Sequence, residues 1–209
     1  MAESSSQYIL DSGLAQAGVA QSGPAHTGPS HTGPAHTGPA HAGPAHVGQV
    51  AEERAALAVA RGICRLFARN DVWCIAEMTL PSKTGGSNRR ADLMGIDPKG
   101  RIIIVEIKVS RADLLGDTKW TDYLDHCDRF YWGLPPHLDR ACLDHAGFHP
   151  EHCGVIVADG YDAEIVRPAP SLALNAARRK AGIERLARAS LRRHLVTRDP
   201  HCAPWGGEG

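Results

Sequence analysis

The run Ile102-Ile103-Ile104-Val105-Glu106-Ile107-Lys108-Val109 constrains this chain more than any other segment. All of its side chains except Glu106 and Lys108 are β-branched, so the stretch is read as a strand, Arg101 to Val109. Alternation puts Ile104, Glu106 and Lys108 on one face and Ile103, Val105, Ile107 and Val109 on the other. A strand apolar on both faces belongs at the centre of a sheet. Two charges on one face of a buried strand are costly unless something compensates them. A metal ion or a bound phosphate is a natural compensation.

The preceding segment carries a third charge. Arg90 to Ile96 reads as a strand, and Asp97-Pro98-Lys99-Gly100 as a tight turn joining it antiparallel to the next. With Pro98 and Lys99 central, Asp97 pairs with Gly100 and Asp92 falls near Val105. A slip or bulge of one residue would set the facing of Asp92 toward Glu106 and Lys108. The pattern is Asp92, thirteen residues, Glu106, one residue, Lys108. Two carboxylates are hard oxygen ligands of the kind Mg²⁺ or Mn²⁺ takes. An ion held there supplies an activated water against a phosphodiester, and Lys108 can orient that water or offset charge at phosphorus. Glu77, in the strand Val72 to Leu80, is a further carboxylate that could reach the same ion across the sheet; an exposed strand residue is the plain alternative.

Around these strands the chain reads as follows. Ala51 to Asn70 is an amphipathic helix with Leu57, Ala60, Cys64 and Phe67 at spacings of three and four. Pro81 ends the first strand, and Ser82 to Asn88 is a flexible turn region. Ser110 caps a short helix, and Asp117 or Thr118 caps another running to about Cys127. Phe130 to Leu134 is a strand stopped by Pro135-Pro136. Gly154 to Ala158 and Ala163 to Arg167 flank a hairpin-type turn, Asp159-Gly160-Tyr161-Asp162. The last helix spans about Leu172 to His194. Helix, three-stranded meander, helix and strand give an α/β domain with a mixed central sheet flanked by helices.

These residues together resemble a known family. Arg90-Ala91-Asp92-Leu93-Met94-Gly95-Ile96-Asp97, the Glu106-Ile107-Lys108 strand, Asp117-Thr118-Lys119-Trp120-Thr121-Asp122-Tyr123 and Gly154-Val155-Ile156-Val157-Ala158-Asp159 look like the MmcB family of bacterial DNA repair proteins, of the PD-(D/E)XK superfamily. The resemblance covers about residues 55–195. It implies a restriction-endonuclease-like αβββαβ core and a role in repairing damaged DNA, with other repair proteins as partners. It carries metal-ligand roles onto Asp92 and Glu106 and the catalytic-lysine role onto Lys108. Ala91 stands where the superfamily pattern has Pro.

The expected function is therefore metal-dependent hydrolysis of phosphodiester bonds in damaged or structured DNA. The alternative is a non-catalytic DNA-binding or partner-recruiting module. Lys119 and Tyr123, four apart on one helix face, are candidates for contact with a phosphate or an unpaired base, whereas Trp120 suits the core. Arg178, Arg179 and Arg185 head a basic surface on the last helix, with Lys180, Arg188, Arg192 and Arg193, that suits a phosphate backbone.

The first fifty residues are different in kind. Glycine recurs every fifth position from Gly13 to Gly48, and His26, His31, His36, His41 and His46 fall in register. This Gly/Pro/Ala/His repeat has no helical or strand period and too little apolar surface to order itself, so residues 1–50 are expected to be a disordered tail. Residues 51–195 form the domain and 196–209 a flexible C-terminal tail. All of the chain's 23 basic side chains lie after residue 50. No apolar run approaches the roughly 20 residues needed to span a bilayer, and the start of the chain lacks a secretory pattern. A cytoplasmic protein, nucleoid-associated when on DNA, is expected, with its six cysteines reduced. Cys142, His145, His149, His152 and Cys153 resemble zinc ligands by type, but without a Cys-x-x-Cys knuckle the segment reads as a His-rich surface loop.

Overall fold

The computed structural model describes residues 44–82 and 88–202, with side chains from residue 48 onward. The elements are α1 (Pro44–Arg69), β1 (Trp73–Leu80), β2 (Arg89–Ile96), β3 (Ile102–Ile107), α2 (Arg111–Gly116), β4 (Arg129–Leu134), β5 (Cys153–Ala158), β6 (Ala163–Arg167) and α3 (Ala176–Arg198). Short 3₁₀ segments occupy Trp120–Asp125, Ala141–Asp144, Ala146–Phe148 and Pro200–Cys202. The order from α1 to β4 is α-β-β-β-α-β, as expected. The six strands lie in sequence order in one mixed sheet, parallel between β3, β4 and β5 and antiparallel elsewhere. Among the described residues, no helix is long and apolar enough to cross a membrane.

Several boundaries differ from the sequence reading. The first helix begins at Pro44, not Ala51, so the last copies of the repeat belong to the domain. Proline suits a first helical turn, where its missing N–H has no partner to lose. The rest of the repeat, residues 1–43, lies outside the described residues, as do residues 83–87 of the turn region. The segment ending near Cys127 is a 3₁₀ turn, not an α-helix. The last helix starts later, after Asn175, whose side chain accepts from Ala177 N at 2.8 Å, and it runs on to Arg198. Residues 196–202 are thus helical and 3₁₀ structure rather than tail.

Register follows from one turn. Asp97 O accepts from Gly100 N at 2.9 Å, and Asp97 N donates to Arg101 O at 3.1 Å. Gly100 has φ 73°, the left-handed conformation that glycine adopts without penalty. Asp97 therefore faces Arg101 instead of Gly100, through a type I turn followed by a one-residue bulge. This shifts pairing by one residue: Leu93 faces Val105 and Met94 faces Ile104. The next step of the ladder brings Asp92 opposite Glu106, so both carboxylates lie on one face of the sheet.

Every residue of β3 is buried. Val59, Ile63 and Phe67 of α1 cover Ile103, Val105 and Ile107 on one face, together with Tyr131 and Ile156. On the other face Ile102, Ile104, Phe130 and Trp132 pack with Leu174, Trp120, Tyr123 and Leu186. At roughly 1.5–3 kcal/mol for each fully buried large aliphatic side chain, the buried isoleucines of β3 contribute substantially to the stability of the sheet. Close approach of α1 to the β5–β6 turn depends on Gly62, where a Cβ would stand 2.3 Å from the Asp159 carbonyl. The N-terminal end of α3 is fastened by Asp128, which is 1% exposed. Its carboxylate accepts from Ile102 N at 2.8 Å and from Arg179 Nε at 3.0 Å, with a second contact to Arg179 Nη2.

Candidate metal site on the central strand

Glu106 and Lys108 close β3 on the face that α3 also covers. They are 7% and 6% exposed. Lys108 Nζ lies 3.3 Å from Glu106 Oε1, and its backbone N–H donates to Gly133 O at 3.0 Å, which extends the β3–β4 pairing. Asp92 reaches across from β2: its Oδ2 accepts from Ile107 N at 2.6 Å. The end of β3, where the backbone pairing with β2 has stopped, thus uses its free N–H to hold a carboxylate beside Glu106.

Two further carboxylates, missed in the sequence, complete the surroundings of Lys108. Asp117 Oδ2 stands 3.0 Å from Nζ and Asp113 Oδ1 3.5 Å. Asp113 lies in α2 and Asp117 caps its C-terminus, while Ser110 caps the other end by accepting from Asp113 N at 3.3 Å. In sequence Asp117 reads as a helix cap and Asp113 carries no signal of its own, because Asp is common near helix ends for local reasons. Their spacing from Lys108 carries the only hint, and it needs the turn of α2 after β3 to become visible.

The electrostatics follow from burial. Desolvation first, and then the Asp92 charge, push the Glu106 carboxyl up to about 8, against the opposing pull of Lys108. Asp92 is raised by burial, while the Ile107 N–H and Lys108 act to lower it. Burial alone would lower Lys108, but Glu106, Asp117 and Asp113 more than offset it, so the ammonium is held above its usual range and stays charged. Glu106 Oε2 is buried and accepts no hydrogen bond among the described residues. The neighbouring Tyr123 hydroxyl lies within reach of Glu106 but gives its one proton to Arg90 O at 3.0 Å; burial and then the Glu106 charge raise its phenol.

Glu106 Oε1 faces Lys108 and Asp92 Oδ2 takes the Ile107 N–H, which leaves Glu106 Oε2 as a buried acceptor without a donor among the described residues. That fits a hard divalent cation, which takes oxygen ligands. Glu106 and Asp92 are the residues that would hold it, with the Ile107 carbonyl as a further oxygen.

Glu77 is not brought to this pair. Among the described residues, Asp92, Glu106 and Glu77 do not set three ligand oxygens within 4.8 Å of one another. Glu77 has φ 52°, which interrupts the strand's alternation between the pairs Ala76–Leu93 and Met78–Ala91. Its carboxylate is 66% exposed and faces Arg90 Nη1 at 4.0 Å. The carbonyls at this kink are taken up by Arg193 of α3, which contacts Ala76 O and donates to Glu77 O at 2.9 Å.

The basic residues divide. Lys119 is exposed, whereas Trp120 and Tyr123 are core residues, so the shared face expected for Lys119 and Tyr123 is not an open one. Trp120 sits in an aromatic cluster with Phe130 and Trp132. Arg179 is committed to Asp128 and fastens α3, a structural role that the basic pattern of the helix could not disclose. Arg178 pairs with Asp125 at 2.8 Å, and Arg185 is half-buried. Arg188 and Arg192 are exposed on the same helix.

The comparisons with known proteins agree with this architecture. Residues 44–201 match the family described as DNA repair protein MmcB-like. A solved structure of a protein of unknown function from Silicibacter pomeroyi is 38% identical, with a TM-score of 0.62, over 74% of this chain and 97% of that one. No curated protein matches the chain. The match begins at Pro44, where α1 begins, and it takes in both strands of the carboxylate pair; the chain belongs to the MmcB-like family of DNA repair proteins.

Proposed function

We propose that the protein is a metal-dependent deoxyribonuclease of the PD-(D/E)XK type, acting on damaged or structured DNA with Mg²⁺ or Mn²⁺. The observation that carries this reading is Glu106 Oε2, a buried carboxylate oxygen beside Asp92 without a hydrogen-bond donor among the described residues. When bound, the divalent ion supplies charge neutralisation and an activated water. Glu106 and Asp92 hold it on the sheet. The Ile107 N–H keeps one Asp92 oxygen fixed and so orients the other. Lys108, cationic under all ordinary conditions, offers N–H donors to a phosphate oxygen. A phosphodiester approaching Lys108 takes the place of Asp113, which is half exposed, and of Asp117. The exposed arginines of α3 lie on the same side of the sheet and suit the adjoining backbone of the DNA.

A second reading has its own observation. Lys108 already touches three carboxylates, and it and Glu106 are almost wholly buried. A structural ion cluster in a non-catalytic DNA-binding or partner-recruiting module would look the same. Cleavage of flapped, single-stranded and damaged DNA in Mg²⁺ or Mn²⁺ separates the two. The nuclease reading expects cleavage that EDTA abolishes and that Asp92→Ala and Lys108→Ala lack. Equal cleavage by the variants, or none by the wild type on any substrate, refutes it.

A further inference from the structure

The connection between β4 and β5 ends in His149-Pro150-Glu151-His152. His149 O accepts from His152 N at 2.8 Å, closing a four-residue turn. Pro150 at the second position fixes its own φ and restricts its neighbour, so the turn is held with little residual freedom. His149 sits at φ 44°, a left-handed conformation that is uncommon outside glycine, asparagine, aspartate and histidine. The turn brings its two ends together, and with them two imidazoles. Their ring centroids lie 6.0 Å apart with the planes inclined by 26°, and Trp120 flanks His149 at 5.9 Å.

Glu151 lies beside both rings. Its Oε1 is 3.1 Å from His149 Nδ1 and 3.7 Å from His152 Nε2. The three ligand atoms all fall within 4.8 Å of one another. In a tetrahedral site with Zn–N and Zn–O bonds of about 2.0–2.1 Å, neighbouring ligand atoms stand about 3.3 Å apart. The two measured separations bracket that value. We propose that the His149-Pro150-Glu151-His152 turn is a transition-metal site, taking Zn²⁺ through His149 Nδ1, His152 Nε2 and a Glu151 oxygen, with the fourth position open to solvent.

Imidazole with a single carboxylate is a donor set for zinc rather than for magnesium, which prefers oxygen alone and keeps its waters. The site is thus chemically distinct from the Asp92–Glu106 pair and does not rest on the nuclease reading. Cys142 and Cys153, which share the neighbourhood in sequence, are buried in the core and are not part of it. The expectation of a plain His-rich loop does not anticipate this arrangement, because the turn rather than the spacing sets Glu151 beside both imidazoles. An ion here would tie together the two ends of a tight turn at the close of a long connection of short 3₁₀ segments.

The test is Zn²⁺ titration of the full-length, tag-free chain in excess Mg²⁺, which occupies carboxylate sites. A companion variant changes His26, His31, His36, His41 and His46 to Gln, to remove the repeat as a competing source of imidazole. In that background one equivalent of Zn²⁺ should bind and raise Tm in a concentration-dependent way. His152→Gln and Glu151→Gln should each weaken binding by at least about tenfold, since even outer-shell changes reach that size. His149→Asn serves as a third variant because asparagine tolerates the left-handed backbone; it should behave the same way. Unchanged affinity in His152→Gln and Glu151→Gln, or no binding once the repeat histidines are gone, overturns the proposal. Apo-state Tm and far-UV circular dichroism of each variant show that a loss of binding is not a loss of fold.

Discussion

Replacing Asp128 by alanine should cost about 3 kcal/mol of stability. The side chain is 2% exposed and holds three donors: the Ile102 N–H at the start of β3, and Nε and Nη2 of Arg179 at the start of α3. Removing it leaves a buried backbone N–H unpaired, worth about 1–3 kcal/mol. It also strips Arg179 of its counter-charge. Breaking a buried pair from one side costs about 3–5 kcal/mol in general. Arg179 is 34% exposed and can recover some hydration, which places the expected loss at the lower end. Urea unfolding followed by circular dichroism measures it, with the slope of the transition unchanged if the native state keeps its compactness. Arg179→Ala should destabilise in the same direction, because it abandons the buried Asp128 carboxylate. A loss under about 1 kcal/mol for Asp128→Ala, with no change in midpoint for Arg179→Ala, would refute the view that this pair fastens α3 to the sheet. It would return Arg179 to the DNA-contacting surface.

Other outcomes follow from the same geometry. Gly62→Ala gains helix propensity of about 1 kcal/mol but sets a Cβ 2.3 and 2.5 Å from the Asp159 and Asp162 carbonyls; a net loss of about 1–3 kcal/mol in thermal or urea unfolding is expected. Because the folded Glu106 carboxyl is raised to about 8, the native state binds more protons than the unfolded chain between about pH 4.5 and 8. Metal-free stability should therefore decline as pH rises through that window, and Glu106→Gln should flatten the decline. Neutralising Arg188 and Arg192 should weaken DNA binding, measured by fluorescence anisotropy. The magnitude of its log–log salt slope should fall by about 0.9 for each phosphate that the protein no longer neutralises.

The strand pattern makes much of the site legible. Alternation along Ile102–Val109 places Glu106 and Lys108 on one face, and the ladder agrees. Asp92 is harder, because its partner depends on whether the Asp97–Gly100 turn closes at Gly100 or Arg101. Gly100 in the left-handed region decides this, and a sequence shows a glycine but not its φ. Asp113 and Asp117 are hidden because their meaning lies in Lys108, across a helix turn, and local capping explains an aspartate equally well. Arg179 misleads for a related reason. A run of arginines on a helix looks like one surface until a buried acid such as Asp128, contributed by the approach to a distant strand, claims one of them. Of the two readings of Glu77, ligand or exposed strand residue, the backbone selects the second, since a positive φ within a strand breaks the alternation on which its facing depends.

Whether Asp92, Glu106 and Lys108 act in chemistry rather than in folding alone is decided by single-turnover cleavage and DNA binding, measured side by side on wild type, Asp92→Asn, Glu106→Gln and Lys108→Met. The wild type should cleave in a Mg²⁺- or Mn²⁺-dependent way, and all three variants should lose cleavage while keeping DNA affinity within a few-fold. Variants that bind and cleave as the wild type does, or a folded wild type that binds DNA and never cleaves it, would contradict a catalytic role for the trio.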